Sequence, residues 1–369
     1  MIVSLDAYYL LGRSGLRVSR LALGTMNFGT SGFHAPYGKS EDDSRAIFQR
    51  YVDAGGNFID TADFYTAGES ETLLGRFIAD AGIRERIVLT TKFTNSVDPG
   101  NPNAGGNGRK HVMRAVEDSL RRLGTDYIDL YLLHTWDRMT PVEEVVRTLD
   151  DLVRSGKVRY TGLSDVPAWY AARAQTYAEA HGMSPIITVQ LPYSLLARGI
   201  EPEFAPMAQA LGIGITGFMP VAGGLLSGKY RKDGSGEGRL TLGAPGSGGP
   251  RDDREWGVIA ALEDVAKELG RSMAQVAINW VANRPGVGAA IIGASSSAQL
   301  EGNLAALDFE IPAKAQQQLE EASAVPPPSL YSMFTPEYQS WLVHPGVSLG
   351  DKPAGYAPPI WHGQRQSVG

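Results

Sequence analysis

The sequence contains no cysteine. Disulfides, thiolate nucleophiles and cysteine-ligated metals are therefore excluded, and a reducing compartment suits the chain. Histidine is scarce, at positions 34, 111, 134, 181, 344 and 362, and none stands in a metal-ligand spacing such as H-E-x-x-H. No metal site is expected. No run of about 18 apolar residues occurs, so no membrane span is expected. MIVSLDAYYLLGRSG lacks a basic start followed by a long apolar stretch, so it does not read as a signal peptide, and a cytoplasmic location is expected. Nor is there a basic block. A net charge of −6 over 369 residues argues against nucleic acid as a partner and leaves a small molecule as the expected one.

What is present is an alternation of strand-like and helix-like runs. LALGTM (21–26), FIDTA (58–62), IVLTTKF (87–93), IDLYLLH (128–134), RYTGLSD (159–165), IITVQLP (186–192), GITGFM (214–219) and AAIIGAS (289–295) each lead into a helical stretch. The seventh does so through a glycine-rich segment, reaching MAQVAINWVANRPG (273–286). Several of these strands are apolar on both faces, as buried parallel strands are. Eight units predict an α/β fold, a single (β/α)8 TIM barrel over 1–325, with a short N-terminal hairpin. Two long polar loops, 95–109 and 231–254, interrupt the alternation and are read as lids over the active face. Beyond them, a C-terminal extension, 326–369, carries Tyr331, Phe334, Tyr338, Trp341, Tyr356 and Trp361. Disordered tails are poor in aromatics, so this one is expected to pack on the barrel.

Four residues stand where strands end: Asp60 and Tyr65 after the second, Lys92 at the third and His134 at the fourth. Taken singly, Asp60 and Lys92 read as a buried ion pair and Tyr65 as a core aromatic. In a parallel barrel, however, successive strand ends meet on the face that carries the chemistry. A tyrosine beside a lysine, an aspartate and a histidine is a proton-transfer set, which points to an enzyme. Two other motifs mislead. Gly212, Gly214 and Gly217 form G-x-G-x-x-G, but a helix precedes them and a strand follows, the reverse of the dinucleotide fingerprint. Gly223, Gly228 and Lys229 approach a P-loop, but Tyr230 stands where the Mg²⁺-binding hydroxyl belongs. The glycines of AGGLLSGKY still allow backbone N–H groups to approach a pyrophosphate.

Across about residues 10–324 the chain resembles the aldo-keto reductase family. The likeness rests on GTMNFG (24–29), Asp60-x4-Tyr65-x2-Gly68-x-Ser70-Glu71, the lysine of TTK, LLHTWD (132–137), GKVRYTGLSD (156–165), VQLPYSLL (189–196), AGGLLSGKY (222–230) and GASSSAQLEGNLAALD (293–308). It implies NAD(P)H-dependent interconversion of an aldehyde or ketone with its alcohol, without a metal. By the same resemblance Tyr65 is the general acid, Lys92 lowers its pKa, Asp60 holds Lys92 and His134 orients the carbonyl. Thr25, Met26, Ser164, Asp165, Gln190, Phe218, Pro220, Val221, Lys229, Gly293, Ser295, Gln299 and Asn303 are the implied cofactor contacts.

Three departures stand out against relatives. Asp165 replaces a common Asn at the carboxamide, and Phe218 replaces the stacking Trp or Tyr. Ser295-Ser296-Ser297 occupy positions where many relatives grip the 2′-phosphate of NADPH with Lys or Arg. NADPH is the family default, NADH becomes plausible, and Lys229 and Arg231 are the candidate substitute cations. Met26, Phe28, Phe64, Phe93 and Trp136 are expected to wall an apolar pocket for a bulky, weakly polar carbonyl. One rival reading is a cofactor-binding, redox-sensing regulatory subunit, since the family includes such proteins. Another is a lyase or isomerase barrel that uses Lys92 as a Schiff base.

Overall fold

The computed structural model describes residues 5, 7–242, 251–326 and 328–347. A hairpin comes first, β1 (Tyr8–Leu10) and β2 (Arg17–Ser19), paired antiparallel. Eight parallel strands then close into one barrel: β3 (Leu21–Gly24), β4 (Phe58–Asp60), β5 (Val88–Phe93), β6 (Ile128–Leu133), β7 (Val158–Ser164), β8 (Ile186–Pro192), β9 (Gly214–Phe218) and β10 (Val287–Ile292). Neighbours in sequence are neighbours in the sheet, and β10 pairs with β3 to close the ring.

The helices are α1 (Glu41–Asp53), α2 (Glu69–Ala81), α3 (Arg109–Leu123), α4 (Val142–Arg154), α5 (Ala168–Ala180), α6 (Phe204–Leu211), α7 (Asp253–Leu269), α8 (Met273–Ala282), α9 (Ser297–Leu304), α10 (Ala313–Ser323) and α11 (Pro336–Leu342). Their apolar faces cover the outside of the barrel. Val142, Val145, Val146, Leu149 and Leu152 of α4 fall at helical spacing and are all buried. The strands alternate: Ile59, Leu89 and Tyr131 point outward to the helices, while Phe58, Val88, Leu130 and Leu132 fill the interior. Leu11 and Val18, from the hairpin segment, join this inner cluster, so the hairpin plugs the amino-terminal end. Gly162 is required by close approach, since a Cβ there would sit 2.5 Å from Leu132 Cδ2.

Toward the carboxyl ends of the strands the interior turns polar. Asp60, Thr90, Lys92, Thr188, Gln190 and Thr216 are all buried there. Every described non-glycine residue with positive φ, namely Thr66, Ala67, Thr94, Arg138, Asp165, Met219 and Ala222, follows the carboxyl end of a strand. Such backbone is costly for residues with a Cβ and concentrates at functional sites.

Gly212 ends α6 in the left-handed conformation, and the Cβ position of Gly214 lies 2.8 Å from Gly12 N, so these two glycines serve a helix end and close packing rather than a dinucleotide turn. AGGLLS is a 3-10 turn rather than the start of a P-loop helix. The 95–109 loop is pinned rather than free, with Ala104 and Asn107 buried and the Asn107 N–H donating to Asp137 Oδ2 at 2.8 Å. In the described tail, Ser329–Phe334 and α11 contain no buried residue, and Phe334 and Trp341 are 49% and 70% exposed. The nearby Glu203 carboxylate helps to push the Tyr331 phenol above its ordinary range, after burial. Tyr356, Trp361 and residues 243–250 of the glycine-rich loop lie outside the described residues.

Candidate active site

Asp60 closes β4, and register pairs it with Gly24 and Thr90. Lys92 lies one residue before the end of β5, points inward and is wholly buried. Its three ammonium hydrogens have three acceptors: Asp60 Oδ2 at 2.6 Å, the Thr61 carbonyl at 2.8 Å and Tyr65 Oη at 3.4 Å. Burial alone would push the ammonium down, but Asp60 and Tyr65 hold it above its ordinary range.

Tyr65 opens a 3-10 turn between β4 and α2, where Thr66 and Ala67 take φ of 48° and 57°. That turn is locked from outside. The Thr66 N–H donates to His34 Nδ1 at 3.1 Å and its hydroxyl to the Phe28 carbonyl at 2.7 Å. Tyr65, 8% exposed, lines the cavity at the barrel mouth. Burial pushes its phenol above the ordinary tyrosine range, and the Lys92 ammonium is the largest influence pulling it back down. The expectation of a net depression is therefore corrected. Lys92 acts in the expected direction, but desolvation outweighs it and the phenol holds its proton.

His134 follows β6 directly, and its ring stands nearly perpendicular to that of Tyr65 at a centroid distance of 5.8 Å. Burial, then the Lys92 charge, hold His134 well below the ordinary histidine range, so it is neutral. Asn95 Nδ2 lies 3.2 Å from His134 Nδ1. An amide nitrogen can only donate, so Nδ1 accepts and the ring proton sits on Nε2. Asn95 was not singled out from the sequence, and nothing there marks it except its place just after a strand.

One cavity of about 560 Å³ brings these groups together with the others. It is lined by Asp60, Tyr65 and His134 and by Thr25, Met26, Ser164, Asp165, Gln190, Phe218, Pro220, Val221, Lys229, Gly293, Ser295, Gln299 and Asn303. Such a volume is ample for a small-molecule or cofactor site. Lys92 lies beneath its floor. Gln190 Nε2 donates to Asp60 Oδ1 at 2.8 Å, which ties β8 to the proton-transfer set. The Asp165 side chain is open to the cavity but surrounded by its concave wall. Burial there raises its carboxyl to about 6, against the pull of Lys92.

The fit to an elongated dinucleotide rests on the donor set and the space. Ser164, Asp165 and Gln190 converge at one end. Gly293 is free of any atom within 4 Å of where its Cβ would be, which leaves a slot at the other. There Asn303 Nδ2 donates to the Gly293 carbonyl at 3.1 Å.

Some expectations fall away. Phe28 and Phe93 are fully buried outside the barrel, against Phe77 and Tyr131 respectively, and do not wall the cavity. Met26 and Phe64 do, joined by Pro36, Tyr37, Arg239 and Leu242. Trp136 is half-buried in a cluster with Trp169 and Tyr170 and is not among the lining residues. Arg231 is exposed and is not among the lining residues; Arg239 from the same loop is. Its guanidinium lies 4.8 Å from the Tyr37 ring centre, so the described part of this loop, which follows β9, reaches past β10 to the loop that follows β3. Among the described residues no cluster of three or more His, Asp or Glu could hold a metal, and no helix is long and apolar enough to cross a membrane.

The sequence matches the aldo/keto reductase family over residues 20–324. Among curated relatives, an uncharacterized oxidoreductase, YrpG, of Bacillus subtilis is 36% identical over 344 residues, 90% of this chain and 99% of its own length. A norsolorinic acid reductase, stcV, of Emericella nidulans is 35% identical over 84% of this chain and 79% of its own. An NADP(+) aryl-alcohol dehydrogenase of Phanerodontia chrysosporium is 33% identical over 92% and 91%. The chain belongs to the aldo/keto reductase family, and it is an oxidoreductase of carbonyl compounds.

Proposed function

We propose that this family member reduces bulky aryl aldehydes or ketones to alcohols with NADPH, using Tyr65 as the general acid. The observation that carries the reading is the Lys92 ammonium, buried and held by Asp60 and Thr61 so that its third donor faces Tyr65 Oη.

Ser164, Asp165 and Gln190 would hold the carboxamide of the cofactor and Phe218 would cover its ring. The Met219–Val221 backbone with Lys229 would meet the pyrophosphate, and Gln299 and Asn303 the adenosine. Bound there, the nicotinamide supplies hydride to the carbonyl carbon. The His134 Nε2–H donates to the carbonyl oxygen and aims it at Tyr65. Tyr65 Oη–H donates to the same oxygen and passes its proton across as negative charge develops there. Lys92 then faces a tyrosinate, which its charge stabilises, and Asp60 keeps that charge in place. Solvent returns the proton. In the direction of alcohol oxidation the same phenol must first be ionised, so the roles reverse only as pH rises.

The substrate class rests on Met26, Phe64 and Tyr37 at the cavity and on the aryl alcohol named for one relative. A cytoplasmic setting goes with this reading, since the cofactor is intracellular and no cysteine is present to oxidise. The test is a panel of aryl aldehydes, polycyclic aryl ketones, short aliphatic aldehydes and sugars assayed with NADPH. The expected result is turnover with the highest kcat/KM on the aryl carbonyls. No oxidation of NADPH by any carbonyl, with cofactor bound tightly, would instead favour the sensor reading.

A further inference from the structure

We infer that Lys39 supplies the cation that recognises the 2′-phosphate of NADPH, in place of the basic residue missing from Gly293–Ser297. The inference rests on the NADPH reading above and names the residue that would set its preference over NADH.

The three serines carry no charge, and two of them are already engaged within the turn. The Ser295 hydroxyl donates to Gln299 Oε1 at 2.6 Å, and Ser296 Oγ accepts from the Gln299 N–H at 3.2 Å. Both hydroxyls are engaged in starting α9, and neither carries charge. A phosphate monoester near neutral pH carries about −1.5 to −2 charges and needs a cation.

Lys39 is placed to provide one. It lines the same cavity and is half-buried, just before α1. Its N–H donates to the Asn27 carbonyl at 2.8 Å and to the Gly29 carbonyl at 2.9 Å. The Asn27 side chain in turn donates to the Ala294 carbonyl at 2.8 Å. One residue therefore bridges Lys39 to the turn that leads into Ser295. The helices behind them run side by side, joined by an Arg50–Glu301 ion pair at 3.2 Å. Two of the three acids in the first turn of α1 are already engaged: Glu41 pairs with Arg45 and Arg76, and Asp43 bonds Ser40. Among the described residues Lys39 makes no ion pair, so its ammonium and four-carbon stem are available.

The other two cations at the cavity are committed elsewhere. Arg239 lies over the Tyr37 ring with Nη2 3.8 Å from Met26 Sδ. The Lys229 ammonium lies 5.1 Å from the Tyr230 ring centre, against the glycine turn that follows β9.

The experiment measures equilibrium binding of NADP⁺, NAD⁺, 2′,5′-ADP and 5′-AMP to the native protein, Lys39→Met, Lys39→Arg and Arg239→Met. Thermal unfolding checks that each variant is folded. The native protein is expected to bind each 2′-phosphorylated ligand more tightly than its counterpart. Lys39→Met should weaken NADP⁺ and 2′,5′-ADP by about tenfold or more and leave NAD⁺ and 5′-AMP within about twofold, the scale of one lost charge-assisted hydrogen bond. Lys39→Arg should keep the preference, and so should Arg239→Met. Equal weakening of all four ligands by Lys39→Met, or a preference that survives it, overturns the inference. So does a preference lost in Arg239→Met alone. Equal binding of NADP⁺ and NAD⁺ by the native protein overturns the inference but leaves the carbonyl reductase reading intact. Binding of neither dinucleotide overturns both.

Discussion

Gln190 Nε2 donates to Asp60 Oδ1 at 2.8 Å while Lys92 Nζ occupies Oδ2 at 2.6 Å. One carboxylate thus joins the residue proposed to hold the nicotinamide amide to the lysine proposed to tune the phenol. Occupation of the cofactor end and proton chemistry at Tyr65 share a single fixed charge.

Asp60→Asn therefore leaves the Lys92 ammonium in the barrel interior without its counter-charge. Removing one partner of a buried pair costs about 3–5 kcal/mol. The urea midpoint of the variant is expected to fall accordingly. A midpoint equal to that of the native protein would mean that the pair contributes nothing to stability.

Lys92→Met removes the strongest influence that opposes burial at Tyr65. The phenol then ionises only at still higher pH. Alcohol oxidation, which needs the tyrosinate, should switch on at higher pH in the variant than in the native protein. The check is the oxidation rate against pH at saturating cofactor. A native-like profile at a native-like rate would reduce Lys92 to a packing role.

Asp165 is held at about 6, above its ordinary value of 3.8. Between those values the folded protein keeps a proton that the unfolded chain has lost, so stability falls as pH rises through that window. Asp165→Asn removes the penalty, and asparagine tolerates the left-handed backbone at φ 44°. The variant should melt at a higher temperature than the native protein at pH 7, and the gap should close toward pH 4. A native protein that stays the more stable at pH 7 would contradict this.

The barrel was legible because buried parallel strands and amphipathic helices alternate with little interruption. The helix Asp253–Leu269 was passed over beside the glycine-rich loop, although its signals are present. Asp252 and Glu255 form a capping box, and Val258, Ile259, Leu262, Val265 and Ala266 recur at helical spacing and are buried. The residues proposed to hold the cofactor follow from motif likeness, and all of them line one cavity. Asn95, Lys39 and Arg239 carry no such mark, because their proposed roles arise from contacts between loops that follow different strands. No local pattern encodes that Asn27 bridges Lys39 to Ala294, or that Arg239 crosses to Tyr37. Phe28 and Phe93 were misplaced for a related reason. Proximity to a strand end does not say which face of the sheet a side chain occupies, and both lie on the helix side.

Tyr65→Phe tests the central claim most directly. It removes one oxygen from a side chain whose aromatic contacts with His34, Phe64 and His134 can persist. The measurement is single-turnover oxidation of bound NADPH by an aryl aldehyde, alongside the cofactor dissociation constant of the same protein. The account predicts a rate reduced by about 10²–10⁴-fold, the usual contribution of a general acid, with cofactor affinity nearly unchanged. A rate within a few-fold of the native protein would show that the proton comes from elsewhere.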